Sequence, residues 1–311
     1  RGKNNQGITN MNILGLHGGF TVRQHEASAA IIMDGKVMSI CEEERYLRSK
    51  SAYGLMPIWA TQAALHDCGL TINDIDLIVT PGKTYDNFDL AINDVIRHNF
   101  GATPKMERVH HQLAHIATAF YASGFDESIC LSLDASGDGS AGFIAYANKI
   151  TGIKVLEDIP NTNSLGLFYT AITHHLGFSD GDEYKVMGLA PYGKPHIDLS
   201  QFLKVGDSCW SLNHEFLKDH PKPQSPFQPQ YSSKLSKNLG QANRRPDETI
   251  DVFHKDLAAS VQKTLENALM YLITRISSEH PEVKNLCFSG GIAMNCSANF
   301  KIINYTFFLI L

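Results

Sequence analysis

Two histidines four residues apart, His111 and His115, stand upstream of the stretch Leu133-Asp134-Ala135-Ser136-Gly137-Asp138-Gly139. On a helix, side chains four apart share a face, so both imidazoles can address one point. The run from Phe120 to Phe125 reads as the end of that helix, closing at Gly124. Ile129 to Leu133 is apolar and reads as a buried strand that delivers the Asp134 carboxylate at its end. Two imidazoles and a carboxylate form a divalent-metal ligand set. Imidazole suits zinc, iron, nickel and copper, so the residues alone do not name the metal. A bound cation polarises a carbonyl or neutralises phosphate charge. The alternative for such a histidine pair is a core position satisfied by hydrogen bonds, and Asp134 is what favours a metal. The loop carrying Gly137, Asp138 and Gly139 offers backbone amides of the kind that form anion-binding concavities. Its alternative is an ordinary strand-to-strand turn. Together these features point to phosphate or acyl-phosphate chemistry.

Further candidates lie downstream. In Asp182-Glu183-Tyr184-Lys185-Val186-Met187-Gly188-Leu189-Ala190-Pro191-Tyr192-Gly193, Lys185 is a point charge for a phosphate or a carbonyl oxygen. Met187 and Gly188 allow backbone to approach a planar ligand; the same residues also read as a helix end with a glycine cap and a proline stop. Asn285 to Gly291 reads as a strand feeding a double glycine, Gly290-Gly291, where backbone can approach a ligand closely. Asn163 or Ser164 can cap the helix that runs to Gly177. Glu42-Glu43-Glu44-Arg45-Tyr46 is either a solvated face or a substrate contact.

The elements that must position these residues occur twice. Met11–Leu16, Ala29–Met33 and Val37–Cys41 read as strands, with Asp34-Gly35 as a hairpin turn. A helix follows over Pro57–Gly69, then a strand over Ile75–Thr80. Ile129–Leu133, Ala141–Ala147 and Ile153–Asp158 repeat the opening. This internal repeat indicates an α/β chain of the actin-like, sugar-kinase-like ATPase fold, with two duplicated lobes around a cleft. The expected organisation is a non-core leader at 1–10, a first lobe at 11–128, and an incomplete second lobe at 129–303. The last residues, 304–311, read as an aberrant apolar tail, the alternative being a terminal strand or helix that docks on the core. Between 208 and 249 the chain is polar and rich in proline, including Pro221 to Pro226, and reads as a solvated surface insertion, the alternative being a substrate-side flap. Asp251 to Ser277 has a helical pattern.

Composition bounds the possibilities. The 311 residues carry 43% hydrophobic and 19% charged side chains and a net charge of −5. These values are ordinary for a globular chain and give no electrostatic case for nucleic acid or an anionic membrane. The six cysteines, Cys41, Cys68, Cys130, Cys209, Cys287 and Cys296, form no CxxC pair. They read as reduced thiols of a cytoplasmic protein. No signal peptide or bilayer-spanning stretch is visible in the sequence.

Five segments together resemble the O-carbamoyltransferase family of nodulation-factor and antibiotic biosynthesis (the NodU/CmcH type). They are Glu42-Glu43-Glu44-Arg45, His111-Gln112-Leu113-Ala114-His115, Ser164 to Tyr169, Glu183 to Gly193, and Gly290-Gly291-Ile292-Ala293-Met294-Asn295-Cys296. The resemblance runs in order from Asn12 to Ile302. It implies an amino-terminal actin-like domain that moves a carbamoyl group from carbamoyl-adenylate to a hydroxyl. A carboxy-terminal domain makes that adenylate from carbamoyl phosphate and ATP. On this resemblance His111, His115 and Asp134 map to ligands of a metal, iron(II), while Gly290, Gly291 and Asn295 map near the adenylate. The acceptor, a small molecule or an oligosaccharide, must lose its hydroxyl proton, and His25 is the candidate base.

The sequence departs from the family in several places. His25-Glu26 stands where the family has His-Asp. Asp134-Ala135-Ser136-Gly137-Asp138 stands where it has Asp-Gly-x-Gly-Glu. The family continues beyond Ile302 with a further metal-ligand aspartate and then the adenylate-forming domain, so the expectation here is a fragment truncated before that domain. A tRNA threonylcarbamoyl-transfer protein shares the fold and the His-x-x-x-His helix, but the Tyr184–Gly193 block and the absence of basic charge argue against it. An inactive nucleotide-binding relic is the non-enzymatic alternative.

Overall fold

The computed structural model of the chain describes residues 11–20, 24–206, 210–217, 231–305 and 309–310, with Tyr305, Leu309 and Ile310 as backbone only. The leader expected at 1–10, Cys209 and the run Pro221 to Pro226 lie outside the described residues.

The chain divides into two compact units, Arg1–His111 and Gln112–Leu311. In the first, strands β1 (Asn12–His17), β2 (Ser28–Met33) and β3 (Lys36–Glu42) form an antiparallel meander. Asp34 and Gly35 both take positive φ in the two-residue turn between β2 and β3, the conformation such hairpins need. Helices α1 (Glu43–Leu47) and α2 (Ile58–Asp67) lead to β4 (Leu77–Pro81), and α3 (Phe88–Phe100) leads to β5 (Lys105–Val109). Strands β4 and β5 add parallel to β1, giving the order β3-β2-β1-β4-β5. Its core packs Leu14, Ile31 and Ile78 against Ala60, Ala64, Ile92 and Ile96 of α2 and α3.

Helix α4 (His111–Ser123) starts on the last residue of the first unit and runs from Gln112 onward in the second, closed by Gly124 at positive φ. Strands β6 (Glu127–Gly137), β7 (Ser140–Asn148) and β8 (Gly152–Pro160) form the second meander. Helices α5 (Leu165–His175) and α6 (Glu183–Leu189) follow, then the small pair β9 (Leu203–Val205) and β10 (Trp210–Leu212). After α7 (Ser233–Leu239), the long α8 (Val252–Glu279) leads to β11 (Asn285–Ser289), α9 (Cys296–Tyr305) and β12 (Leu309–Ile310). Strands β11 and β12 add parallel to β6, giving β12-β11-β6-β7-β8. Both sheets thus have the same order and the same strand directions. The chain has the α/β actin-like, sugar-kinase-like ATPase fold, in which one sheet topology occurs twice.

Three boundaries differ from expectation. The units divide at 111/112, whereas the lobes were expected to meet at 128/129. The reason is packing: Ile116 and Phe120 of α4 bury against Cys130, Phe143, Ala145 and Cys287 of the second sheet. The described part of 208–249 is largely exposed but is anchored in the core. Trp210, Leu212, Phe216, Tyr231 and Leu235 belong to the main core of the second unit. Of the expected tail, Asn304 and Tyr305 continue α9, and Leu309–Ile310 pairs with β11.

Candidate metal centre

Helix α4 is amphipathic with period four. Gln112, Ile116 and Phe120 form its buried stripe. His111 and His115 each precede a stripe residue, so they line one side of that contact. Asp134 sits where β6 leaves the ladder. Leu133 pairs with Gly142 and Gly137 with Ser140, which leaves Asp134 to Ser136 as a bulge. The bulge re-aims the side chain at the strand end. His115 Nε2 lies 3.1 Å from Asp134 Oδ2. One ligand atom from each of His111, His115 and Asp134 falls within 4.8 Å of the others. Two imidazoles and one carboxylate at this spacing fit a divalent cation.

A frame of close packing holds Asp134. Its Oδ1 accepts from the Ala135 amide at 2.7 Å. Ser164, wholly buried, caps α5 by accepting from the Leu167 amide at 3.0 Å. Its own hydroxyl donates to the carbonyls of Ala135 at 2.7 Å and Asp134 at 3.2 Å. A Cβ on Gly166 would stand 2.5 Å from the Ala135 nitrogen and Cα. A Cβ on Gly290 would collide with the Leu133 carbonyl, and one on Gly291 would stand 3.0 Å from Asp134 Oδ1. The glycines of Ser164-Leu165-Gly166 and of Gly290-Gly291 therefore let α5 and the β11 turn close on the end of β6 that carries Asp134.

The other expected residues are distributed as follows. Gly137 ends β6, and Asp138-Gly139 is a two-residue turn with both φ positive, so the loop is a tight hairpin. Lys185, on α6, pairs with Asp182 at 2.8 Å and lies over the rings of Phe178 and Tyr184. The hydrogen bond to Asp182 holds its ammonium above the usual lysine range. Met187 meets Cys296 sulfur to sulfur at 3.7 Å. Gly188 is interior to α6, not a cap, and its Cβ position faces open space. Gly193, by contrast, is required because a side chain there would strike the Lys255 carbonyl. Asn295 pairs in both directions with the buried Gln262 amide, at 2.9 and 3.0 Å, and caps α9 through the Ala298 amide. His25 belongs to the first unit, half-exposed beside Glu26 and Tyr53.

In Glu42-Glu43-Glu44-Arg45, Glu43 is buried and accepts from the Trp59 and Ala60 amides at the start of α2, at 3.2 and 2.7 Å. Arg45 is exposed and pairs with Glu42 and Glu44. Sequence reasoning missed Gln112, Ser132 and Gly166 as parts of the frame. The available signal was Gln112 itself, a polar residue in an otherwise apolar helical stripe.

The family described as Carbamoyltransferase N-terminus matches residues 82–309. The chain belongs to that family. It is 32% identical over 304 residues to nodulation protein NolNO of Sinorhizobium fredii, covering 90% of this chain and 42% of that protein. It is 26% identical over 327 residues to the uncharacterized protein sll1178 of Synechocystis, covering 92% of this chain and 52% of that one. The chain thus spans about half the length of these curated relatives. Among solved structures, component A of (R)-2-hydroxyglutaryl-CoA dehydratase from Acidaminococcus fermentans aligns with a TM-score of 0.49 at 13% identity, over 96% of this chain and 90% of that one. No helix among the described residues is long and apolar enough to cross a membrane. The five described cysteines are free thiols.

Proposed function

We propose that the chain transfers a carbamoyl group from carbamoyl-adenylate to a hydroxyl of a small-molecule or oligosaccharide acceptor in secondary-metabolite biosynthesis. The adenylate is made from carbamoyl phosphate and ATP in a further domain, and the reaction runs in the cytoplasm, where thiols stay reduced. The observation that carries this reading is the cluster of His111, His115 and Asp134 in a chain of the Carbamoyltransferase N-terminus family.

His111, His115 and Asp134 would hold a divalent cation, iron(II) on the family resemblance. Bound there, the cation supplies a Lewis acid for a carbonyl oxygen. The acceptor oxygen attacks the carbamoyl carbon. The bond from that carbon to the AMP phosphate oxygen breaks, and AMP leaves with the electron pair. The acceptor proton passes to a base, the role we give His25. The tetrahedral oxyanion needs fixed donors. Lys185, anchored by one bond to Asp182, retains donors for a phosphate or carbonyl oxygen. The turn Gly137-Asp138-Gly139 and the surface of Met187, Gly188, Gly290, Gly291 and Asn295 receive the adenylate. Gly188 supports this assignment, because no packing around it requires glycine, a poor helix former.

The test is metal content and carbamoyl-adenylate binding of purified wild type against a His111→Ala/His115→Ala double variant. Wild type should retain stoichiometric iron or zinc and bind the adenylate, and the double variant should lose the metal. Supplied carbamoyl-adenylate should then yield AMP and a carbamoylated alcohol by mass spectrometry. A wild type that stays metal-free after anaerobic iron(II) reconstitution would overturn the reading. Adenylate binding without turnover would point to a relic, and tRNA binding to threonylcarbamoyl transfer.

A further inference from the structure

Gln112 lies between the two histidines in sequence, on the buried stripe of α4 that they flank. It is wholly buried. Its Nε2 donates to the Ser140 carbonyl at 3.1 Å, and its Oε1 accepts from the Ser132 hydroxyl. Ser132 lies on β6 two residues before Asp134, and Ser140 opens β7 directly across the hairpin turn. A buried amide is costly unless partnered, and its partners must be met at one distance and one angle. The neighbouring contacts of Ile116 and Phe120 are apolar and lack that directionality. They hold α4 on the sheet but leave its roll and its height along β6 loosely set. A metal site tolerates errors of only about 0.2 Å in its ligand distances. Ligands drawn from two elements therefore need a directional link between those elements.

We propose that Gln112 is a positioning residue of the metal centre: its two hydrogen bonds fix the rotation of α4 against β6 and β7, and so set His111 and His115 against Asp134. This rests on the reading that those three side chains hold a divalent cation. The Gln112 amide bonds Ser132 and Ser140. Its effect passes through the helix backbone to both neighbours.

The experiment is a titration of the chain with Co(II), whose visible spectrum reports coordination geometry, alongside thermal melts of the metal-free proteins. Four variants are compared with wild type. Gln112→Met keeps volume and loses both hydrogen bonds. Ser132→Ala loses one. Phe120→Leu lowers stability from the same helix face but leaves the amide bonds intact. His111→Ala removes a ligand. The expected result is a loss of Co(II) affinity of about 10- to 100-fold in Gln112→Met, the range for residues that orient metal ligands, with an altered spectrum. Ser132→Ala should shift both readouts in the same direction by less, and it carries the test if Gln112→Met does not fold. Phe120→Leu should melt earlier yet bind Co(II) as wild type does. Wild-type affinity and spectrum in Gln112→Met or Ser132→Ala would overturn the proposal, and so would an equal loss in Phe120→Leu. If wild type binds Co(II) no better than His111→Ala, the metal reading itself fails and takes the proposal with it. That outcome is distinct from a wild type that binds while the Gln112 and Ser132 variants bind alike.

Discussion

Strands β6 and β7 of the second sheet are buried along most of their length, whereas β3 of the first is exposed at most positions. The second sheet is covered on both faces. Ile129, Leu131 and Leu133 point into the core shared with α5 and α8, while Cys130, Phe143 and Ala145 pack under α4. The first sheet has one well-formed core, under α2 and α3. The difference continues at the end of the first strand of each meander. β1 ends at His17, and His25 beyond it is half-exposed. After β6 the chain bulges at Asp134 and is gripped by Ser164, Gly166 and Gly290. One topology thus supports two designs. Asp134 stands where backbone closes on backbone, and that requires glycine at the contact.

The largest expected effect follows from removing one of those glycines. Gly166→Val places a branched side chain against the Ala135 backbone, which cannot give way as the end of a flexible side chain does. The expected destabilisation is roughly 3 kcal/mol, the upper part of the range for overpacking, together with loss of Co(II) binding. Gly35→Ala in the first unit meets open space and carries only the strain of its positive φ, a cost of about 1 kcal/mol. The two tryptophans separate the units. Trp59 lies on α2 and Trp210 on β10, so unfolding followed by fluorescence in Trp59→Phe and Trp210→Phe backgrounds reports each unit. Equal effects of the two glycine variants on the Trp210 transition would break the comparison.

The strands, the Asp34-Gly35 turn, the long α8 and the histidine–aspartate cluster were legible because they rest on local signals: alternation, turn chemistry, helical period and an i, i+4 pair. The reason for Gly166 and Gly290 was not legible. It depends on which backbone lies opposite, and that is fixed only by the fold. The same holds for Glu43. In sequence it stands in a charge run, whereas in the structure it caps a helix that begins fifteen residues later. The polar stretch from 208 to 249 misled because its average composition hides Trp210, Phe216 and Leu235, which the core takes up.

An acid-sensitive term should belong to the second unit. His175 on α5 is fully buried, and neither ring nitrogen has a hydrogen-bond partner. Its ring stands edge-on to Tyr231 at 5.3 Å, its carbonyl accepts from Arg244, and His254 lies within electrostatic reach. Burial, with the His254 charge second, lowers its pKa from 6.5 to about 4. The unfolded chain binds this proton near pH 6.5 and the folded chain only near pH 4. Stability is therefore full above pH 6.5 and falls as the pH drops toward 4, by on the order of 3 kcal/mol. His175→Phe should flatten the Trp210 transition midpoint across that window, with the Trp59 transition unchanged. An unaltered pH slope in His175→Phe would assign the acid sensitivity to the carboxylates instead.

The smallest effects separate two residues that look alike in sequence. Glu43 and Arg45 share one charge run, but only Glu43 is buried, with two α2 amides on its carboxylate. Glu43→Ala strips the helix of that cap and should cost the first unit about 1–2 kcal/mol, read from the Trp59 transition. Glu43→Gln keeps an acceptor oxygen and should recover part of the loss. Arg45→Ala should leave that transition unmoved, because its partners Glu42 and Glu44 are solvated ion-pair contacts that salt screens. If Arg45→Ala instead destabilised the first unit as much as Glu43→Ala, the charge run would act as one network, and the buried cap would lose its separate role. The Trp210 transition should stay fixed in all three variants, because this cap holds a helix of the first unit alone.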